Sequence, residues 1–190
     1  MGRKNETLRF TVLSFFVAIE LIMAFTPIGY INIGVISITL MHLPVILAGI
    51  LLGRKEGLLI GLVFGLSSII IATTQPTITS FCFTPFYSVG NIHGNIWSLV
   101  VSLVPRMALG WFAGFLFTLG KDRFKEWSWI SIISFLCTLG HTISVLGLIW
   151  LFFGNDFMAV TKMSVGVVLG SVLVSNGLVE MVLADRKSVV

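Results

Sequence analysis

The chain has 190 residues, of which 56% are hydrophobic and only 11% charged, and its mean hydropathy is +1.04. An ordinary soluble domain carries about a quarter charged residues, so the polar surface here is too small to cover a water-soluble particle. The 12 Lys+Arg against 8 Asp+Glu leave a formal net charge of +4, but the cations stand in short clusters between long apolar runs, which is the pattern of a polytopic membrane protein and not of a nucleic-acid binder.

Along the chain, Arg3, Lys4 and Arg9 precede an apolar run that ends at Phe25. This opening looks like a secretory signal, but no A-x-A-like cleavage site follows and further apolar segments do, so it is read as the first membrane helix. A bilayer core of ~30 Å asks for about 20 apolar residues per helix. By that measure the spans fall at 8–25, 40–53, 56–73, 95–119, 129–153 and 159–184. The expected fold is an all-α membrane protein of six transmembrane helices, one integral domain over 1–190, with outer loops capping a ligand pocket. The second segment is short, and the stretch from Ile31 to Thr39 before it is β-branched and extended in character, so its backbone needs cover from protein or water.

The basic clusters fix the orientation. Arg3, Lys4 and Arg9, then Arg54 and Lys55, then Lys121, Arg123 and Lys125, then Arg186 and Lys187 fall at alternate span ends, with Lys162 the exception. The positive-inside rule therefore places both termini in the cytoplasm and leaves the longer loops, 26–39 and 74–94, outside. No internal repeat is evident. Gly61 to Gly65 lacks the GK[ST] of a nucleotide-binding loop, so this chain is not expected to hydrolyse ATP or to act as an enzyme. Cys82 and Cys137 have neither CxxC nor Cys/His ligand spacing; they read as small buried hydrophobes, and no metal or other cofactor is expected.

Certain polar residues need a reason to be in a membrane. Arg106 follows Pro105 about a dozen residues into the fourth segment, where a charge costs ~2.5 kcal/mol or more and has to face protein or a wet cavity. Its planar fork suits a ligand carboxylate; the alternatives are an ion pair with Glu20 or Glu180, or capping of a carbonyl freed by Pro105. Glu180 shares a helix face with Asn176, four residues earlier. His141 and Thr142 interrupt the fifth segment and either pack inside or line a polar pocket. The outer loop from Thr74 through Phe81 to Asn91 mixes hydroxyls, amides and rings, as a lid over a small molecule does, or as an interfacial aromatic belt does. Ser14 and Ala18 form a small-xxx-small pair that permits close approach of another helix. Ser67, Ser68 and His141 do not make a serine hydrolase, because no acid orients the histidine.

With these residues in view, the chain resembles the substrate-binding subunit, or S component, of an energy-coupling factor (ECF) vitamin transporter. The resemblance rests on His42-Leu43-Pro44-Val45 leading to Gly53-Arg54-Lys55-Glu56-Gly57, on Gly61 to Ser68, on Val104-Pro105-Arg106-Met107-Ala108-Leu109-Gly110, and on Ser175-Asn176-Gly177-Leu178-Val179-Glu180, in that order and spacing. Thr26-Pro27-Ile28-Gly29, the outer loop and the Asn176/Glu180 pair are most similar to the pantothenate-type branch, which differs in carrying Asn-Thr where this chain has His141-Thr142. The resemblance implies capture of a vitamin, pantothenate foremost and another such as riboflavin as the alternative, from outside the bacterial cell membrane. It implies docking on a transmembrane coupling protein driven by two cytosolic ATPases, with the first three helices, including Ser14 and Ala18, as the docking face. For pantothenate, Arg106 would hold the carboxylate, Asn176, His141 and Thr74 the hydroxyls and amide, and Phe81 the gem-dimethyl group. A membrane enzyme or sensor built on Arg106, His141 and Glu180 is the competing class, and it needs those groups at one depth.

Overall fold

The computed structural model describes residues 2–26, 29–33, 36–120, 126–164, 166, 167 and 170. Its helices are α1 (Gly2–Phe25), α2 (His42–Leu52), α3 (Arg54–Thr74), α4 (Ile96–Gly120) and α5 (Glu126–Thr161). Among the described residues four helical stretches, Glu6–Phe25, Arg54–Thr74, Ile96–Gly120 and Trp129–Thr161, are long and apolar enough to cross a bilayer. The 11 residues of α2 rise only about 16 Å at 1.5 Å each, so α2 alone does not span. The membrane is also written on the surface: Phe10, Phe15, Trp150 and Leu151 are all more than 60% exposed, which water would penalise and lipid does not.

One expected boundary is wrong. The fifth helix does not stop at 153 but continues to Thr161, so 159–161 belong to α5 and not to a sixth helix. Gly154, Asn155 and Asp156 look like a break in sequence, but one Gly inside a helix costs only ~1 kcal/mol. Phe153 and Phe157, four residues apart, are both buried in one core cluster and carry the helix through. It ends where Lys162 adopts a left-handed φ of 54° and its N–H bonds back to the Met158 carbonyl. Most of the expected sixth segment, with Asn176 and Glu180, lies outside the described residues, as do Lys121, Arg123 and Lys125.

Among the described residues the loops add two small hairpins to the helices. β1 (Tyr30–Ile33) pairs antiparallel with β2 (Ile36–Thr39), so the β-branched stretch is extended and its backbone is satisfied by its own partner strand. β3 (Ser88–Val89) pairs with β4 (Ile92–His93) around Gly90, whose φ of 59° suits a tight turn.

The helices are drawn together by a seam of glycines. Gly57, Gly61 and Gly65 recur every fourth residue on α3 and lie directly against the α4 backbone. A Cβ on Gly57 would collide with the Gly110 carbonyl, one on Gly61 with the Arg106 carbonyl, and one on Gly65 would stand 3.0 Å from the Ser102 oxygen. Gly49 of α2 meets Gly110 and Gly114 in the same way. Lipid offers helices no hydrophobic reason to associate, so close backbone packing is a main source of cohesion. At one end of the bundle, Arg9 of α1 donates to the Leu52 carbonyl at 3.0 Å and to Glu56 Oε1 at 2.5 Å. Arg54 donates to Thr118 Oγ1 at 2.9 Å. The cations Arg9, Arg54 and Lys55 thus gather at the same end, as the charge pattern requires of one membrane face.

Candidate functional site

The site begins with a missing hydrogen. Pro105 lies inside α4, and its ring nitrogen cannot donate to the Val101 carbonyl four residues back. Arg106 Nη1 donates to that carbonyl at 2.5 Å, so the capping role anticipated from Pro105 is met. The guanidinium is otherwise framed by aromatic faces: its Cζ stands 5.5 Å from the Phe64 ring centre and 5.2 Å from that of Phe83. Both are within the range at which a ring quadrupole attracts a cation. Arg106 is only 7% exposed.

Each wall is fixed by its own element. Phe64 lies on α3 between Gly61 and Gly65, whose close contact with α4 brings the ring to Arg106. Phe83 comes from the outer loop, just after a 3₁₀ turn at Ser80–Cys82, and Ser102 Oγ of α4 holds its carbonyl at 2.6 Å. On the α5 side the His141 ring lies 6.1 Å from Phe64, tilted by 30°, and within electrostatic reach of Arg106 and His42. Phe64 therefore contacts both expected site residues, Arg106 and His141. Neither Phe64 nor Phe83 was anticipated as a partner of Arg106; a phenylalanine in an apolar helix carries no mark of what it will face.

Further polar atoms are buried in the helical bundle. Both carboxyl oxygens of Glu20, Thr138 Oγ1, Thr26 Oγ1 and His141 Nε2 are buried without a hydrogen-bond partner among the described residues. Glu20 stands four residues from Phe16 and from Ala24, on one face of α1, and both belong to the cluster that holds Phe64 and Cys137. The Arg106–Glu20 ion pair considered from sequence is not formed: among the described residues neither Glu20 carboxyl oxygen accepts a hydrogen bond. Buried polar groups are normally satisfied, so these unbonded atoms and the buried Arg106 guanidinium are the polar features of the core that packing by itself does not explain.

The other anticipated residues are placed as follows. Thr74 ends α3, exposed, with its hydroxyl bonded to the Ile70 carbonyl at 2.9 Å. Phe81 is fully buried, edge-on to Phe153 at 5.9 Å, with its carbonyl held by Ser98 Oγ at 2.8 Å. Asn176 lies outside the described residues. Cys82 is buried beside Phe81; burial, with the charge of Asp156 adding, pushes its thiol up and keeps it protonated and inert. Ser14 and Ala18 are exposed together on α1, on the face away from Phe16 and Glu20. Among the described residues no three metal-ligating side chains cluster.

The family described as "ECF transporter, substrate-specific component" matches residues 8–184. The chain belongs to this family. It is also 34% identical, over 96% of its own length and 90% of the relative's, to the pantothenic acid transporter PanT of Lactococcus lactis subsp. cremoris (strain MG1363). The chain is thus a substrate-specific component of an ECF transporter, a membrane protein with several crossings and one part of a larger import system. Val104-Pro105-Arg106, one of the motifs that carried the resemblance, is the segment whose buried guanidinium caps the Val101 carbonyl.

Proposed function

We propose that this component captures pantothenate from outside the cell and releases it inward after docking on a transmembrane coupling protein driven by two cytosolic ATPases. One observation supports the reading above the others: a buried guanidinium, framed by Phe64 and Phe83 and neighboured by His141, in a chain similar along nearly its whole length to a pantothenic acid transporter. Pantothenate offers one carboxylate, two hydroxyls, an amide and a gem-dimethyl group. Arg106 meets the carboxylate; His141, Asn176 and Thr74 meet the polar remainder. Phe81 packs on the methyl groups once the outer loop lifts, since in this conformation its ring is spent on Phe153. The full reading is one six-helix integral unit with cytoplasmic termini, without catalysis of its own.

Isothermal titration of the purified chain tests the substrate. Pantothenate is expected to bind with one site per chain and riboflavin not at all; the reverse result assigns the component to another vitamin. The division of labour has its own test. Sealed vesicles holding this chain alone are expected to bind pantothenate without accumulating it, and to accumulate it only when the coupling protein, both ATPases and ATP are added. Concentrative uptake by the chain alone would refute the proposal.

Docking rests on α1. The exposed strip through Phe10, Ser14, Ala18 and Ile22 presents two small residues where a partner helix needs close backbone approach. Ser14→Leu with Ala18→Trp is expected to abolish co-purification with the coupling protein while pantothenate titration stays unchanged. Intact co-purification would move the docking face elsewhere.

A further inference from the structure

A second surface feature lies away from the buried core. Between α3 and α4 runs a groove of about 380 Å³ lined by Leu58, Val104, Met107, Ala108, Trp111 and Phe112. Apart from the indole N–H of Trp111 the lining side chains carry no polar atom but the soft thioether of Met107, so a polar small molecule finds little to bond there. One end of the groove is marked by charge. The Arg54 guanidinium stands 6.0 Å from the Trp111 ring and 4.7 Å from Phe115, and Thr118 Oγ1 accepts from it at 2.9 Å. These contacts hold the guanidinium beside the groove rather than free in solvent. Lys55 is next to it, and both cations are exposed. Among the described residues neither has a carboxylate within ion-pair reach; the neighbouring Glu56 is taken by Arg9.

We infer that this groove seats one acyl chain of an anionic phospholipid, with its phosphodiester at Arg54 and Lys55. The groove opens on the outside of helices that cross the bilayer, where an apolar channel is filled by lipid tail. The fork of Arg54 matches phosphate oxygens two at a time, and Lys55 adds a point charge. Trp111 lies between head and tail, at the level where such rings meet the headgroups. A zwitterionic lipid brings its own ammonium group to the same two cations and gains less. The selectivity is therefore for net negative charge and comes from this end of the groove.

The experiment uses phosphatidylglycerol and phosphatidylcholine with brominated acyl chains, each mixed into micelles of the purified full-length protein. The chain has 5 Trp, so the Trp111 contribution is the difference between the parent protein and Trp111→Phe. That contribution is expected to be quenched at an at least about fivefold lower mole fraction of the anionic lipid, since each basic group near an anionic surface is worth roughly a fivefold preference. Arg54→Gln with Lys55→Gln should erase the preference. Ala108→Phe, which fills the groove, should remove quenching by both lipids. If loss of Arg54 prevents folding, Lys55→Gln alone, a side chain on the surface, must still narrow the gap. Equal quenching by both lipids, or a preference that survives these changes, overturns the inference. So does a Trp111 untouched by either lipid but shielded from iodide on adding the coupling protein, which would give the groove to a protein partner.

Discussion

Replacing Arg106 by alanine is expected to weaken pantothenate binding by at least about 30-fold, because removing one member of a buried, hydrogen-bonded charge pair costs about 2–5 kcal/mol. Arg106→Lys should fall between the two: it keeps the charge but loses the planar fork and the ring faces of Phe64 and Phe83. The same guanidinium also caps the Val101 carbonyl, so a thermal melt without ligand must accompany each titration. Pro105→Ala separates the two roles. An alanine at 105 returns a backbone N–H to the Val101 carbonyl and relieves Arg106 of capping. In that background Arg106→Ala should leave the melt nearly unchanged and still abolish tight binding. Unchanged affinity in the folded double variant would remove Arg106 from the site and leave it a purely structural cap.

The largest stability effect is expected in the glycine seam. Gly57→Ala and Gly110→Ala each force a methyl group into the opposing backbone, where the obstructing atoms are a carbonyl and its carbon and not the end of a pliable side chain. Overpacking of this kind costs about 1–3 kcal/mol, and more when backbone has to shift. Both variants should therefore melt well below the parent protein in the same detergent. Gly140→Ala is the contrast, because nothing lies within 4 Å of the Cβ it would gain; alanine's better helix propensity should leave its melting temperature level or raised. If Gly57→Ala melts with the parent protein, α3 and α4 are not held at the distance described here. Gly61→Ala joins the two predictions, since the methyl group would press on the Arg106 carbonyl and loss of affinity should exceed what the drop in stability explains.

Much of this protein was legible before its fold. Composition excluded a soluble domain because apolar area and charge count are additive, needing no knowledge of neighbours. The positions of α1, α3 and α4 followed from runs of apolar residues, since a bilayer imposes its own length on each crossing. Pro105-Arg106 also declared itself, because proline frees a definite carbonyl and arginine can reach it. The end of α5 did not: Gly154 to Asp156 reads as a break until Phe153 and Phe157 are known to share a buried face, and local propensity yields to that packing.

What the sequence determined alone is therefore the kind of molecule: multi-span, related through ordered motifs to the substrate-specific components of ECF transporters, with one arginine that had to be accounted for. What only the tertiary structure decided is which groups meet. The spacing of Gly57, Gly61 and Gly65 is plain in the chain, but that it receives the α4 backbone at Arg106, and so sets Phe64 against the guanidinium, is a property of two helices together. The same holds for Phe83, brought in by the outer loop, and for Glu20, which sequence offered as an ion-pair partner for Arg106 and which makes no bond to it in the fold. A side chain's own chemistry is local, whereas its partner depends on the register and approach of distant segments, and those are fixed only when the backbones have packed.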